Sequence, residues 1–177
     1  MTTNNVSTTQ GSAEPHLEAL LRHFADLRDG THGDLVRRAD KERLFTEAVT
    51  LLDPYARQAL REIDETLLLN SGQIELVGPQ PSRDGGLAAL WTLSWREQER
   101  AGVAPITIHA HYGRGFHHPH LRGGTVGEWP LNVFSTADAA GQIDTLRAIA
   151  AADLHNLVFQ ADFRIVPATR ARADGRR

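Results

Sequence analysis

Five imidazoles fall within twelve residues of one stretch, ITIHAHYGRGFHHPHLRGG at 106–124: His109, His111, His117, His118 and His120. The whole chain has nine histidines. Neutral imidazole is the commonest protein ligand for a transition ion, and its pKa near neutrality also suits it to proton transfer. The chain has no cysteine. Thiolate catalysis, disulfides, iron–sulfur ligation and cysteine zinc sites are therefore excluded. A metal would have to be held by histidine, carboxylate, amide or backbone oxygen.

Within PITIHAHY the residue types alternate. As a strand, the segment places Ile106, Ile108, Ala110 and Tyr112 on one face and Thr107, His109 and His111 on the other. The two imidazoles would stand about 6–7 Å apart along the strand. His109 and His111 are thus the first candidate metal ligands, with His117 and His120 from the following loop. Asp162 or Glu128 could supply a carboxylate, giving a three-histidine or a two-histidine, one-carboxylate set. Such a set leaves a coordination position for water or substrate. Zinc, iron(II), copper, manganese and nickel all suit it, and spacing does not choose among them. Haem on one axial histidine is compatible but has no other feature behind it.

The same residues also fit metal-free chemistry. His118 and His120, with Asp162, are candidates for acid–base or nucleophilic catalysis, including nucleotidyl transfer. HPH at 118–120 resembles the His-Pro-His element of galactose-1-phosphate uridylyltransferases over those three residues. The wider histidine-triad pattern breaks at Gly113, and the glutamate of a cupin metal motif is missing after His109-x-His111. No family follows from these fragments. The plain alternatives are a non-catalytic protein that binds a small ligand or metal, and a solvated loop rich in histidine.

Glycine punctuates the histidine loop at 113, 115, 123, 124 and 127. Glycine lets backbone approach a ligand closely. Arg114 and Arg122 flank the histidines and, with Arg164, are candidates to clamp a carboxylate or phosphate. Phe116 and Trp129 could wall a pocket, and Asn132 could hydrogen-bond its occupant.

The elements that must position these residues change character midway. In the first half, Leu17, Leu20, Leu21, Phe24 and Leu27 recur at helical spacing, as do Leu44, Phe45, Val49 and Leu52. A third helix is expected to start at Asp53 as N-cap with Pro54 in its first turn. No partner for His23 is evident. In the second half, strands are expected at 73–79, 87–98, 104–112, 129–134 and 156–167, with a helix capped by Thr136 between the last two. The final strand would place Gln160, Asp162 and Arg164 on the same sheet face as His109, His111 and Asn132.

The fold class that follows is α+β: a helical N-terminal half packed on one face of an antiparallel-rich sheet of about five strands. Residues 14–167 form the expected single domain. Residues 1–13 read as a disordered polar leader without the features of a signal peptide, and 168–177 as a basic disordered tail. The chain has 177 residues and a formal net charge of −3. It gives no reason to expect a nucleic-acid or membrane partner, and the cytoplasm is the expected location. The leading expectation is a small metal-dependent enzyme, hydrolase, lyase or oxidoreductase, acting on a small anionic metabolite. A homodimer through the helical half is a further expectation.

Overall fold

The computed structural model describes residues 15–174. The N-terminal stretch expected as a leader lies outside them. Two helices come first, α1 (Pro15–Asp29) and α2 (Arg38–Ile63), and one wider helical turn carries the chain on to Leu68. Strands β1 (Gln73–Pro81) and β2 (Leu87–Ser94) form a hairpin, followed by the short helix α3 (Arg96–Ala101). Strands β3 (Ile106–Tyr112), β4 (His120–Gly123) and β5 (Trp129–Pro130) complete the sheet. Helices α4 (Thr136–Gly141), α5 (Ile143–Gln160) and α6 (Pro167–Asp174) close the chain. The sheet order is β1-β2-β3-β4-β5, every pair antiparallel. The fold is α+β.

The core forms where β2 and β3 present their apolar face to α2 and α5. Ala89, Trp91, Leu93, Ile106, Ile108, Ala110 and Tyr112 are buried there, together with Phe45, Val49, Leu52 and Leu60 of α2 and Leu146, Ile149 and Leu157 of α5. Burying each large side chain contributes about 1.5–3 kcal/mol. The alternation read in 106–112 is therefore the alternation of the strand.

Several expectations change. The second and third helices are one, because the buried stripe from Phe45 to Leu60 runs unbroken across Pro54. A proline costs a helix interior about 3 kcal/mol, less than this continuous face returns. Asp53 caps nothing; its carboxylate accepts from Trp91 Nε1 at 2.9 Å and from Arg57 Nε at 2.9 Å.

The expected strand over 156–167 is instead the end of α5, a single 3₁₀ turn over Phe163–Ile165 and the start of α6. Its alternating apolar residues do not share a buried face. Phe159 is 79% exposed and Phe163 56%, while Leu157 continues the helical stripe of Leu146, Ile149, Ala150 and Leu154. The fifth strand is supplied by β4, within the expected loop, and only the first two residues of the expected 129–134 strand pair. Helix α6 occupies most of the stretch expected as a tail.

Candidate functional site

The outer face of the sheet is where the chemistry gathers. Antiparallel pairing sets His111 opposite His120 and His109 opposite Arg122. The β4 pairing is thus what brings the loop histidines back to the strand pair. Helix α1 lies across this face, held in part by Asn132 Nδ2, which donates to the Ala19 carbonyl at 3.3 Å, and by Arg22, which sits over the Phe134 ring at 4.4 Å. It turns His23 and Asp26 inward.

Six imidazoles result in one continuous row. From the mouth inward, ring centroids are separated by 5.2 Å (His109–His111), 5.7 Å (His111–His120), 5.5 Å (His120–His23), 4.8 Å (His23–His118) and 6.0 Å (His118–His32). His118 and His32 are each 1% exposed. Burial disfavours the imidazolium form. It pushes His32 down to about 3, and His109 and His118 down to about 4, with neighbouring cationic groups adding to the effect. Burial also lowers His23, against the opposing pull of Asp26, and lowers His120, against that of Glu128. Burial thus favours the neutral form in all five rings.

Neutral imidazole has one donor and one acceptor nitrogen. At the mouth those needs are largely met. Arg122 Nε donates to His109 Nδ1 at 2.9 Å, and His111 Nε2 lies 3.0 Å from Glu128 Oε2. Deeper in they are not. Nδ1 of His23, His32 and His120, both ring nitrogens of His118, and Oδ2 of Asp26 are buried without a hydrogen-bond partner among the described residues. Asn132 Oδ1 and His109 Nε2 share that condition. Asp26 Oδ1 accepts from Thr31 Oγ1 at 2.8 Å. Among the described residues no three histidine, aspartate or glutamate side chains converge on one point at ligand spacing; the row is a chain of neighbouring pairs.

Two loops hold the row in place. Asp153 of α5, fully buried, accepts from Thr107 N at 2.8 Å, Thr125 N at 2.7 Å and Thr125 Oγ1 at 2.6 Å. It fixes the glycine-rich turn after β4 against the start of β3. A Cβ on Gly123 would stand 2.5 Å from Val126 Cγ2, so this turn needs its glycine. Beside it, a cleft of about 600 Å³ is lined by Thr107, His109, Arg122, Gly124 and Glu128. The loop 113–117 is tied to α2. Arg38 donates through Nη2 to the Tyr112 carbonyl at 3.0 Å and through Nη1 to the carbonyls of Gly113 at 3.1 Å and Phe116 at 3.2 Å. Its guanidinium also lies 3.6 Å from the Tyr112 ring centroid.

Comparison with protein-family models, curated proteins and solved structures finds no match to this chain. The site is accordingly read from its own geometry.

Of the residues singled out in the sequence, His109, His111, His118, His120 and Arg122 come together, with Glu128 at the mouth. Asn132 borders the row through α1, and Trp129 sits half-buried in β5, packed against the core. His117 and Arg114 are exposed and line a different cleft with Arg38 and Lys41. Asp162 and Arg164 pair with each other at 2.8 Å beside Glu97 and Arg100, outside the row, because the strand expected to carry them there is helix and turn. Residues missing from the sequence reading are His23, Asp26 and His32. The signal for them was the polar spacing of His23 and Asp26 on α1, which the stronger apolar stripe of that helix masked.

Proposed function

We propose that this chain is a small metal-dependent enzyme acting on a small anionic metabolite. A divalent first-row transition ion is held in the inner half of the imidazole row, and the substrate binds at its mouth. The observation behind this reading is the set of orphaned atoms: five ring nitrogens of His23, His32, His118 and His120, and one carboxylate oxygen of Asp26. Each buried polar atom left unpaired costs about 1–3 kcal/mol. Their sum is comparable with the whole stability of a domain. An ion satisfies several of those lone pairs at once.

His23 and His118 are the proposed first ligands, and because no three such side chains converge here, Asp26 or His120 has to turn towards them as the ion binds. Metal–nitrogen distances of about 2.0–2.1 Å at a tetrahedral angle put ligand ring centroids roughly 5 Å apart. The His23–His118 and His23–His120 centroids are 4.8 and 5.5 Å apart. Rings held neutral by burial do not force the ion to compete with protons. A mixed imidazole and carboxylate set suits zinc, iron(II), copper, manganese or nickel.

At the mouth, Arg122 supplies a fixed positive charge beside the cleft. Because it donates to Nδ1 of His109, the ring proton of that residue sits on Nε2, which is buried beneath the cleft. The His111–Glu128 pair can take up or deliver a proton next to it. That pair also favours a second reading, metal-free acid–base catalysis, in which activity would survive chelation.

Elemental analysis of the untagged full chain tests the proposal, followed by titration with zinc or cobalt. One first-row ion per chain, lost on His118→Ala with the fold intact, is the expected result. Absence of any copurifying first-row metal, together with binding no tighter than micromolar, would overturn it.

A further inference from the structure

We propose that the chain forms a two-fold homodimer through the outward face of α1, packed antiparallel on the same helix of a second copy. This rests on the surface of α1 and is independent of what the imidazole row binds.

Helix α1 is turned inside out. Its inward side carries Ala19, His23 and Asp26, whereas Leu17, Leu20, Leu21, Phe24 and Leu27 all face outward. Leu21 is 71% exposed and Phe24 57%. An amphipathic helix gains most of its stability by burying its apolar stripe. This stripe is left in water, and a contiguous run of large apolar side chains marks an interaction surface.

The charges at the two ends of α1 favour a second copy as its occupant. Glu18 stands in the first turn and Arg28 in the last. In an antiparallel pair with its axis between Leu21 and Phe24, Leu21 of one helix meets Phe24 of the other, and Glu18 reaches the last turn of its partner. Arg28 uses Nε and Nη2 on Asp29, leaving Nη1 for the partner subunit's Glu18. The face is self-complementary, as a two-fold interface requires.

Other occupants fit less well. Helices that lie on membranes carry a lysine- and arginine-rich polar face. Within α1, three acidic residues (Glu18, Asp26, Asp29) outnumber two arginines (Arg22, Arg28), and Arg22 is engaged with Phe134. The preceding residues, MTTNNVSTTQGSAE, include one branched aliphatic side chain, Val6, and no aromatic one. They cannot fill a stripe of four leucines and a phenylalanine. A 15-residue helix is about 22 Å long, so the paired helices bury less than the roughly 800 Å² per partner of a standard interface. An area of that size is that of a transient association, so the dimer is expected to depend on protein concentration.

Sedimentation equilibrium of the untagged full chain, from about 1 to about 200 µM, reads the outcome directly. The expected mass rises from 19.5 kDa towards twice that value. Leu21→Glu or Phe24→Glu weakens association by at least about 100-fold with unchanged far-ultraviolet circular dichroism. Glu18→Arg alone weakens it, and Glu18→Arg combined with Arg28→Glu restores it. If either glutamate variant unfolds, this charge exchange, which leaves the apolar stripe intact, decides. The proposal is overturned by a wild-type chain that stays at 19.5 kDa throughout. A dimer indifferent to both Phe24→Glu and the charge exchange also overturns it. So does a monomer that floats with phosphatidylcholine–phosphatidylserine vesicles, or one that dimerises only after removal of residues 1–13.

Discussion

Arg122 of β4 donates its Nε–H to Nδ1 of His109 across the β3–β4 pair at 2.9 Å. A guanidinium has no acceptor and does not lose its proton, so the contact fixes the tautomer of the imidazole. It also keeps a positive charge beside the ring, which adds to burial in holding His109 down to about 4.

Replacing Arg122 by glutamine removes that charge and should raise the His109 pKa. Burial is the larger cause and persists, so the new value stays below the ordinary 6.5. Titration of the His109 ring followed by nuclear magnetic resonance checks this. A midpoint unchanged from the wild type would show that the contact does not form in solution.

Acid should destabilise the protein well above the carboxylate range. His32, His109 and His118 have folded-state values of about 3, 4 and 4 against 6.5 when unfolded. Below pH 6.5 the unfolded chain takes up protons that the folded one does not, so stability falls with pH. The loss runs from about pH 6.5 down to about pH 4 and involves up to three protons from these rings, with His23 and His120, also lowered by burial, adding to it. The apparent Tm across that window measures it. His118→Asn removes one titrating group and should flatten the slope by up to one proton.

His118→Ala and His23→Ala should each abolish stoichiometric binding of zinc or cobalt. His117→Ala should not, because His117 lines the other cleft. Isothermal titration of the three variants side by side separates a built site from diffuse histidine affinity. Equal losses in all three would count against a defined centre.

Asp153→Ala leaves the amides of Thr107 and Thr125 without their acceptor. Losing two part-buried hydrogen bonds costs about 1–3 kcal/mol together. Asp153→Asn keeps one acceptor oxygen and should lose less. Urea unfolding of both variants gives the difference, and equal stabilities would mean that the turn after β4 does not depend on this carboxylate.

How far the sequence reaches differs from element to element. Strand β3 was legible, because its side-chain alternation coincides with one buried and one polar face. Strand β4 was not. Four residues closed by glycine carry little local signal, and pairing of His120 with His111 is decided by the sheet already formed. At Leu157–Ile165 two periods overlap. Leu157 fits both a strand and the helical stripe of α5, and packing of α5 on α2 and β3 selects the helix. The same competition hid the inner half of the row. The leucines of α1 suggest a core-facing stripe, yet the face that is buried carries His23 and Asp26, so these two, with His32 just beyond the helix, lay outside the histidine-rich stretch.

Arg38 has a consequence for how a ligand reaches the imidazoles. One guanidinium donates to the carbonyl of Tyr112, at the end of β3, and to those of Gly113 and Phe116 in the loop 113–117, from the first turn of α2. These bonds brace the loop against α2. Lysine, a single point donor, could not hold it in the same way. On the proposed reading a ligand would reach the inner rings past α1, and amide hydrogen exchange should be faster along Ala19–Asp26 than along the histidine loop.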